Sequence, residues 1–326
     1  MGSTRKPSWL QSSAARMAGA AALLRGRARP VILVALMAAG LLGGAFFVRH
    51  RWPQSLPAQA LSASDLIVTP QPDWIHGDVK SDVLRDAQLT QFDVLDPQLT
   101  SRVADAFSAH TWVAEVRNVS KYAGPQVHVE LVYRRPIAMV EVTAAGRAGL
   151  LPVDQHGVLL PPEDFSPNQA RDYLRIAATD SKPAGPVGTP WGDPRVLGAA
   201  RIAAAWNDYA AASNADSAPD GDAASNTAWK QAGLYRIEAE GPPPRPRPHL
   251  EASINYSLTT KEGRRMIWGR SPGEEASGEA AASQKIARLL AHVQSEGPLD
   301  KQPPGQIDLR DAQSLRVLPP TARRSP

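Results

Sequence analysis

Residues 31–48 form an apolar run of eighteen residues (VILVALMAAGLLGGAFFV) that contains no charged side chain. An α-helix rises 1.5 Å per residue, so this run is about 27 Å long, close to the ~30 Å thickness of the hydrocarbon core of a bilayer. Pro30 and the neighbouring arginine stems extend the helix towards the interface at its ends. The sequence therefore predicts a single transmembrane helix over residues 30–49.

The basic residues around this run predict which side of the membrane each part of the chain occupies. Six cations precede the run, among them Arg25, Arg27 and Arg29, whereas two follow it closely. Because positively charged flanks stay in the cytoplasm, residues 1–29 are predicted to be a cytoplasmic basic tail. The C-terminal bulk is predicted to be periplasmic, which makes the chain a single-pass protein of the cell inner membrane.

A cleavable signal peptide is the alternative interpretation of the same run. Residues 58–60 (AQA) have the small-x-small pattern of a cleavage site. They lie ten residues beyond the run and after Arg49 and Arg51, whereas a signal peptidase site normally follows a shorter apolar region closely. The pattern therefore favours an uncleaved helix.

The net charge of the whole chain, +4, is the sum of two parts of opposite sign. Residues 1–51 carry eight basic residues and no acidic one, whereas the rest of the chain carries 28 basic against 32 acidic residues. The positive excess belongs to the N-terminus alone, so the charge gives no support to nucleic-acid binding by the rest. The chain has no cysteine, which excludes disulfides, thiolate metal sites, iron–sulfur clusters and cysteine nucleophiles.

Beyond a Pro-, Ser- and Ala-rich tether at residues 50–64, the patterns predict an α+β fold in two units. In the first unit, residues 65–142, Asp96 and Pro97 are a typical helix start. Apolar residues follow it at helical spacing: Leu99, Val103, Ala106 and Phe107. Alternation over residues 127–133 predicts a half-buried strand, and residues 137–142 predict another. This unit is therefore expected to be a small α/β domain.

The second unit, residues 143–318, is predicted to be larger and richer in strands, with flanking helices. Helices are predicted after Asp193-Pro194 and around Ile286–Val293. Strands are predicted at 234–239, 250–259 and 264–268, with a final extended segment at 306–317. Insertions are predicted near 210–228, 241–248 and 270–283, and residues 319–326 form a tail.

One stretch has the spacing of a catalytic motif, the GxSxG at residues 269–273. In a nucleophile elbow the N–H after the serine contributes to the oxyanion hole, but here that residue is Pro272, which has no N–H. The single histidine downstream, His292, has apolar neighbours, and the seven histidines show no metal-ligand spacing. The sequence thus predicts no enzyme, no cofactor, no metal site and no small-molecule substrate.

Two blocks of residues, in this order, resemble one known family. The first runs from HTWV at 110–113 through the strand at 127–133 and RPIA at 135–138 to LPVDQHGVL at 151–159. The second combines MIWGR at 266–270, KIARLL at 285–290 and IDLR at 307–310. With the basic N-terminus and the apolar run, these blocks resemble the bacterial cell division protein FtsQ/DivIB family over roughly residues 65–318.

The resemblance implies a POTRA-like domain followed by an FtsQ-type β domain. It also implies a membrane scaffold that recruits other single-span division proteins (FtsB/FtsL-like) by pairing a terminal strand with a segment of the partner. An edge strand at 306–317 would present unpaired backbone groups for such β-augmentation. Its candidate contact residues are Ile307, Leu309, Arg310, Leu315 and Val317. The same residues also suit a strand that simply completes the sheet.

Two other functions stay open at this point. A membrane-anchored POTRA-like adaptor in secretion or envelope assembly would share the fold, and identification of its partner by cross-linking would distinguish it. A membrane-tethered serine hydrolase would use Ser271, and labelling with a serine-reactive fluorophosphonate would detect it.

Overall fold

The computed structural model describes nine stretches of the chain, which are residues 37–41, 60–89, 92–93, 96–122, 126–144, 146–178, 180–213, 228–240 and 254–319. Residues 1–59 and residues 60–326 form two separate units. The second of these units contains all the sheets described below.

The predicted transmembrane helix requires a correction. Of residues 30–49 the structure describes 37–41, which are helical, and five residues span only about 7.5 Å. The longest described helix, Pro194–Ser213, carries Arg195, Arg201 and Asp208 along its length. Within the described ranges no helix is both long and apolar enough to cross a membrane. The predicted α+β character is confirmed, whereas the single transmembrane helix is not part of the described fold.

The remaining predictions for the N-terminus fall outside the described residues. They concern Arg25, Arg27 and Arg29, the basic tail at 1–29 and most of the tether at 50–64. The predicted topology and location depend on these residues.

A three-stranded sheet with two helices begins the second unit. Its elements, with a two-stranded ribbon formed by β1 and β3, are β1 (Ala60–Leu61), β2 (Leu66–Val68), α1 (Val79–Asp86), β3 (Phe92–Asp93), α2 (Leu99–Ser108), β4 (Val113–Tyr122) and β5 (Gln126–Tyr133). The strand order is β2-β5-β4, with β2 parallel and β4 antiparallel to β5. The helical spacing correctly predicts α2, because Leu99, Val103 and Phe107 are buried against this sheet.

An eight-stranded sheet forms the larger part of the unit. Its strands are β6 (Ala138–Ala144), β7 (Arg147–Val153), β8 (Leu174–Ala177), β9 (Leu234–Glu240), β10 (Asn255–Thr260), β11 (Arg265–Gly269), β12 (Gln306–Asp308) and β13 (Arg316–Leu318). The order across the sheet is β13-β12-β11-β10-β9-β8-β6-β7. The β6–β8, β8–β9 and β11–β12 pairs are parallel, and the other pairs are antiparallel.

Four helices accompany this sheet: α3 (Pro167–Arg171), α4 (Pro194–Ser213), α5 (Ala228–Gln231) and α6 (Ala282–Glu296). Helices α4 and α6 bury their apolar residues, including Val196, Trp206 and Leu289, in one core with the sheet. The predicted start of α4 at Asp193-Pro194 and the apolar face of α6 are both confirmed. These two helices therefore cover one face of the sheet.

The division between the two sheets differs from the predicted boundary at residue 142. The strand predicted at 137–142 is β6, which pairs with β7 and β8 in the larger sheet. The smaller sheet ends at Tyr133, and Arg134 follows it with an ion pair to Asp154 at 2.7 Å. Leu160, from the later part of the chain, is fully buried in the core of the smaller sheet. The two sheets are therefore connected by the Arg134–Asp154 ion pair and by the packing of Leu160.

Of the three predicted insertions, one is described in full. Residues 214–227 and 241–253 lie outside the described part of the chain, so the insertions predicted near 210–228 and 241–248 are mostly outside it. The stretch at 270–283 is a connection between β11 and α6 that leads into the first turn of α6. Its contacts are part of the site described next.

Candidate partner-binding edge

The predicted terminal strand is two strands in the structure. β12 covers residues 306–308 and β13 covers 316–318, and a connection at 309–315 joins them. β12 lies between β11 and β13, whereas β13 is the last strand on this side of the described sheet. In the part of the chain that the structure describes, the unpaired edge therefore belongs to β13 alone at this end of the sheet.

One row of side chains runs across the whole sheet on the face that α4 and α6 cover. The strand registers align one residue from each strand, in the order Leu151, Val140, Ile176, Ile237, Leu258, Met266, Ile307 and Val317. Directly paired residues share a face of the sheet. The six inner members are at most 2% exposed, whereas Val317, at the open edge, is 55% exposed. The apolar row thus ends in an uncovered valine.

The five predicted contact residues occupy different environments. Ile307 and Leu309 are 0% and 1% exposed, so their side chains complete the core and face no partner. Their burial favours the alternative interpretation, in which these two residues complete the sheet. Leu315 is partly buried against the same core. Arg310 and Val317 are exposed and remain candidates.

Two ion pairs neutralise the acidic groups beside this edge. Arg310 forms a bidentate pair with Asp308, with Nη2 2.7 Å from Oδ2 and Nε 3.0 Å from Oδ1. Arg316 Nη2 lies 2.6 Å from Asp311 Oδ2. Burial alone would raise the pKa of Asp308, but hydrogen bonds from the side chain and backbone of Arg310 lower it below the usual value. Both carboxylates are therefore charged at neutral pH and already have partners.

A glycine permits the close approach of β12 and β13. A Cβ atom added at Gly305 would lie 2.7 Å from the carbonyl oxygen of Leu318 and 3.3 Å from Cγ1 of Val317. The first distance is shorter than any normal contact for a methyl group. The residue before β12 therefore has to be glycine for β13 to keep its position.

The GxSxG serine lies in the interior. Ser271 is 1% exposed, and its Oγ donates to the carbonyl oxygen of Gly198 at 3.4 Å. His292 hydrogen-bonds Gln302, at 2.9 Å, and is not a partner of this serine. The described residues contain no group of three His, Asp or Glu side chains arranged to hold a metal ion. A hydroxyl in this environment is a packing group with a backbone partner.

Two functional candidates were not predicted from the sequence. Glu279, in the connection at 270–281, and Lys285, in the first turn of α6, form a buried ion pair at 2.6 Å. The signal for Lys285 was present, because it lies four residues before the buried Leu289 and hence on the apolar face of α6. No sequence pattern links it to Glu279.

The chain matches no protein-family model and no curated protein. The resemblance to the FtsQ/DivIB family thus rests on the residues quoted above, and the function it implies is a proposal.

Proposed function

We propose that this chain is a non-enzymatic scaffold of the bacterial cell-division machinery. In this proposal it recruits single-span division proteins (FtsB/FtsL-like), one of which adds a strand to the edge of β13. The observation that carries the proposal is the uncovered end of the apolar row, where Val317 extends a line of buried side chains to an open edge strand. The residue blocks that resemble the division family supply the class of partner.

β13 suits strand addition because its outer side presents backbone hydrogen-bonding groups and the exposed apolar side chain of Val317. In an antiparallel pair, alternate residues direct their N–H and C=O groups towards the neighbour, and the others direct them outward. Among the described strands none pairs with the outward side of residues 316–318, so a partner strand can use the groups on that side. Each net hydrogen bond contributes only ~0.5–1.5 kcal/mol, and a three-residue strand offers few of them. Burial of Val317 is therefore expected to add a substantial share of the affinity.

The register also predicts the chemistry of the partner segment. A strand that pairs with β13 places one side chain beside Val317, on the face covered by α4 and α6. That side chain extends the row of eight and is expected to be apolar. The partner is thus an extended segment with an apolar residue at alternate positions, because side chains of a strand alternate between faces.

Site-specific photo-cross-linking tests the proposal directly. A photo-reactive phenylalanine derivative in place of Val317 is expected to cross-link a single-span division protein in growing cells. The matched control carries the same derivative in place of Ala148, which is exposed on β7 at the opposite edge of the same sheet. Equal cross-linking from both edges, or cross-linking to proteins of secretion or envelope assembly, would overturn the proposal.

A charged side chain on the edge strand should weaken docking. Edge strands often carry lysine as protection against unwanted pairing, so Val317→Lys is expected to reduce co-purification of the partner about tenfold or more by leaving a charge in the apolar row. A tagged chain with this substitution should lose its concentration at the division plane, and the cells should become filamentous. Ala148→Lys is the control and should leave both normal; normal division with Val317→Lys would contradict the proposal.

A further inference from the structure

A buried ion pair lies beneath the connection that leads from β11 to α6. Lys285 is 0% exposed, and its Nζ lies 2.6 Å from Oε1 of Glu279, whose side chain is 6% exposed. The same Nζ lies 4.8 Å from the centre of the Trp268 ring. A buried charge without a partner is strongly destabilising, so the lysine fixes the place of the glutamate.

The Glu279 carboxylate in turn organises the connection around it. Oε1 also accepts a hydrogen bond from the backbone N–H of Arg270, at 2.8 Å, and Oε2 accepts one from Ala276, at 3.0 Å. Gly269, at the end of β11, has a φ of +95°, and a Cβ atom there would overlap Oε1. The carboxylate therefore occupies the space that a side chain at residue 269 would need.

The same connection holds the end of β12. Glu279 forms an antiparallel bridge with Asp311, and the N–H of Ala280 donates to the carbonyl oxygen of Arg310 at 2.8 Å. Arg288, on α6, donates to the carbonyl oxygen of Asp311. Residues 310 and 311 are the first part of the connection from β12 to β13. The ion pair is thus linked, through two backbone contacts, to the connection that leads to β13.

We propose that Glu279 and Lys285 are positioning residues for partner docking. They hold residues 310–311 so that β13 keeps the register in which Val317 ends the apolar row. β13 has three residues and pairs with β12 alone in the described sheet, so few hydrogen bonds of its own hold it in place. The geometry of the edge therefore depends on this anchor. The inference rests on the proposed function, since it concerns the same edge.

Hydrogen exchange of the purified full-length chain tests the positioning without any partner. Glu279→Gln keeps the shape of the side chain and removes its charge. Amides of residues 316–318 that bond to β12 are expected to exchange about ten- to hundredfold faster, while Ile176 in the centre of the sheet keeps its protection. Glu274→Gln is the matched control, because Glu274 lies in the same connection and forms an exposed ion pair with Arg201.

Equal acceleration at Ile176 and at residues 316–318 would overturn the proposal, because the pair would then serve the stability of the whole sheet. Unchanged exchange at 316–318 would also overturn it. Lys285→Met is the second variant, with a side chain of similar length and no charge. This variant is used if Glu279→Gln does not yield folded protein. It should accelerate amide exchange at residues 316–318 in the same way.

An engineered disulfide between β12 and β13 tests whether Glu279 supports docking by positioning β13 or by contacting the partner itself. The chain has no cysteine of its own, and Gln306 and Leu318 are direct partners across β12 and β13. Glu279→Gln should reduce cross-linking from position 317, and the added pair Gln306→Cys and Leu318→Cys should restore it when oxidised. If the disulfide does not restore the cross-linking, Glu279 has a role other than positioning β13, and the proposal is overturned. If the chain that carries the photo-reactive derivative at position 317 and no other substitution gives no cross-link, the proposed function is refuted. Hydrogen exchange would then still show whether the Glu279–Lys285 pair positions β13.

Discussion

At Gly305 the absence of a side chain determines how closely β13 can approach β12. Gly305→Ala would place a methyl group 2.7 Å from the Leu318 carbonyl oxygen, so β13 has to move. Overpacking of this kind costs about 1–3 kcal/mol, and the free energy of unfolding is expected to fall by about 1 kcal/mol because an edge strand can shift. Denaturant unfolding and exchange at residues 316–318 measure the two effects.

The control for this substitution lies on the opposite edge strand. A Cβ atom at Gly149 in β7 would meet nothing closer than Cγ2 of Val142, at 3.5 Å, which is an ordinary contact. Gly149→Ala should therefore leave stability unchanged or slightly raise it, since alanine has the lower entropy cost on folding. An equal loss of stability in both variants would show that close approach at Gly305 is not the cause.

At the scale of elements, Arg134 joins the end of β5 to the turn that follows β7. Its Nη1 lies 2.7 Å from Oδ2 of Asp154, and that aspartate is 3% exposed at the side chain. Removal of one partner from a buried pair leaves the other charge uncompensated. Arg134→Ala is expected to lower the free energy of unfolding by about 3 kcal/mol, measured by denaturant unfolding.

The neighbouring arginine supplies a matched comparison. Arg135→Ala removes the same charge one residue later, without removing the partner of Asp154, and should cost less than about 1 kcal/mol. The N–H groups of His156 and Val158 also donate to Asp154, so Asp154→Asn should lose less than Arg134→Ala. Equal losses for Arg134→Ala and Arg135→Ala would contradict a specific role for the ion pair.

The sequence predicts where helices and strands lie better than it predicts which strands pair with one another. A helical repeat such as Leu99, Val103 and Phe107 defines a buried face by local spacing alone, and the structure has α2 there. A strand pattern states only that a segment is extended, so the residues of β6 could not be assigned to the larger sheet. For the same reason Ile307 was predicted to lie at an edge, although β13 covers it. Pairing depends on contacts between residues far apart in sequence.

At the scale of the whole molecule, the larger sheet has two ends of different character. β7 is seven residues long and has a buried proline, Pro152, whose missing N–H limits pairing along that strand. β13 is three residues long, has no proline and ends the apolar row with Val317. The two edges thus differ in their capacity for strand addition. That asymmetry is why the cross-linking comparison uses one position on each edge.

Acid should destabilise the larger sheet through three carboxylates. Burial alone would raise the pKa of Asp193, Glu279 and Asp308, but hydrogen bonds from Arg195, Lys285 and Arg310 lower each pKa below its ordinary value of 3.8 for Asp and 4.5 for Glu. A pKa that is lower in the folded state stabilises the fold fully above the ordinary value, and the contribution is lost as pH falls through the folded value. These groups should therefore leave Tm constant between about pH 6 and 8 and lower it below about pH 4.5.

The three groups can be tested one at a time against an exposed carboxylate. Asp308→Asn is expected to lower Tm at pH 7 and to flatten its decrease between about pH 4.5 and 2.5, because one titrating group with a depressed pKa is gone. Glu296→Gln, at the exposed end of α6, should leave the shape of the profile unchanged. Since Asp308 lies in β12, beside the docking edge, the protection of the amides of residues 316–318, corrected for the intrinsic exchange rate at each pH, should fall in the same acidic range. A Tm profile that stays flat down to pH 3 would show that these ion pairs contribute nothing to stability.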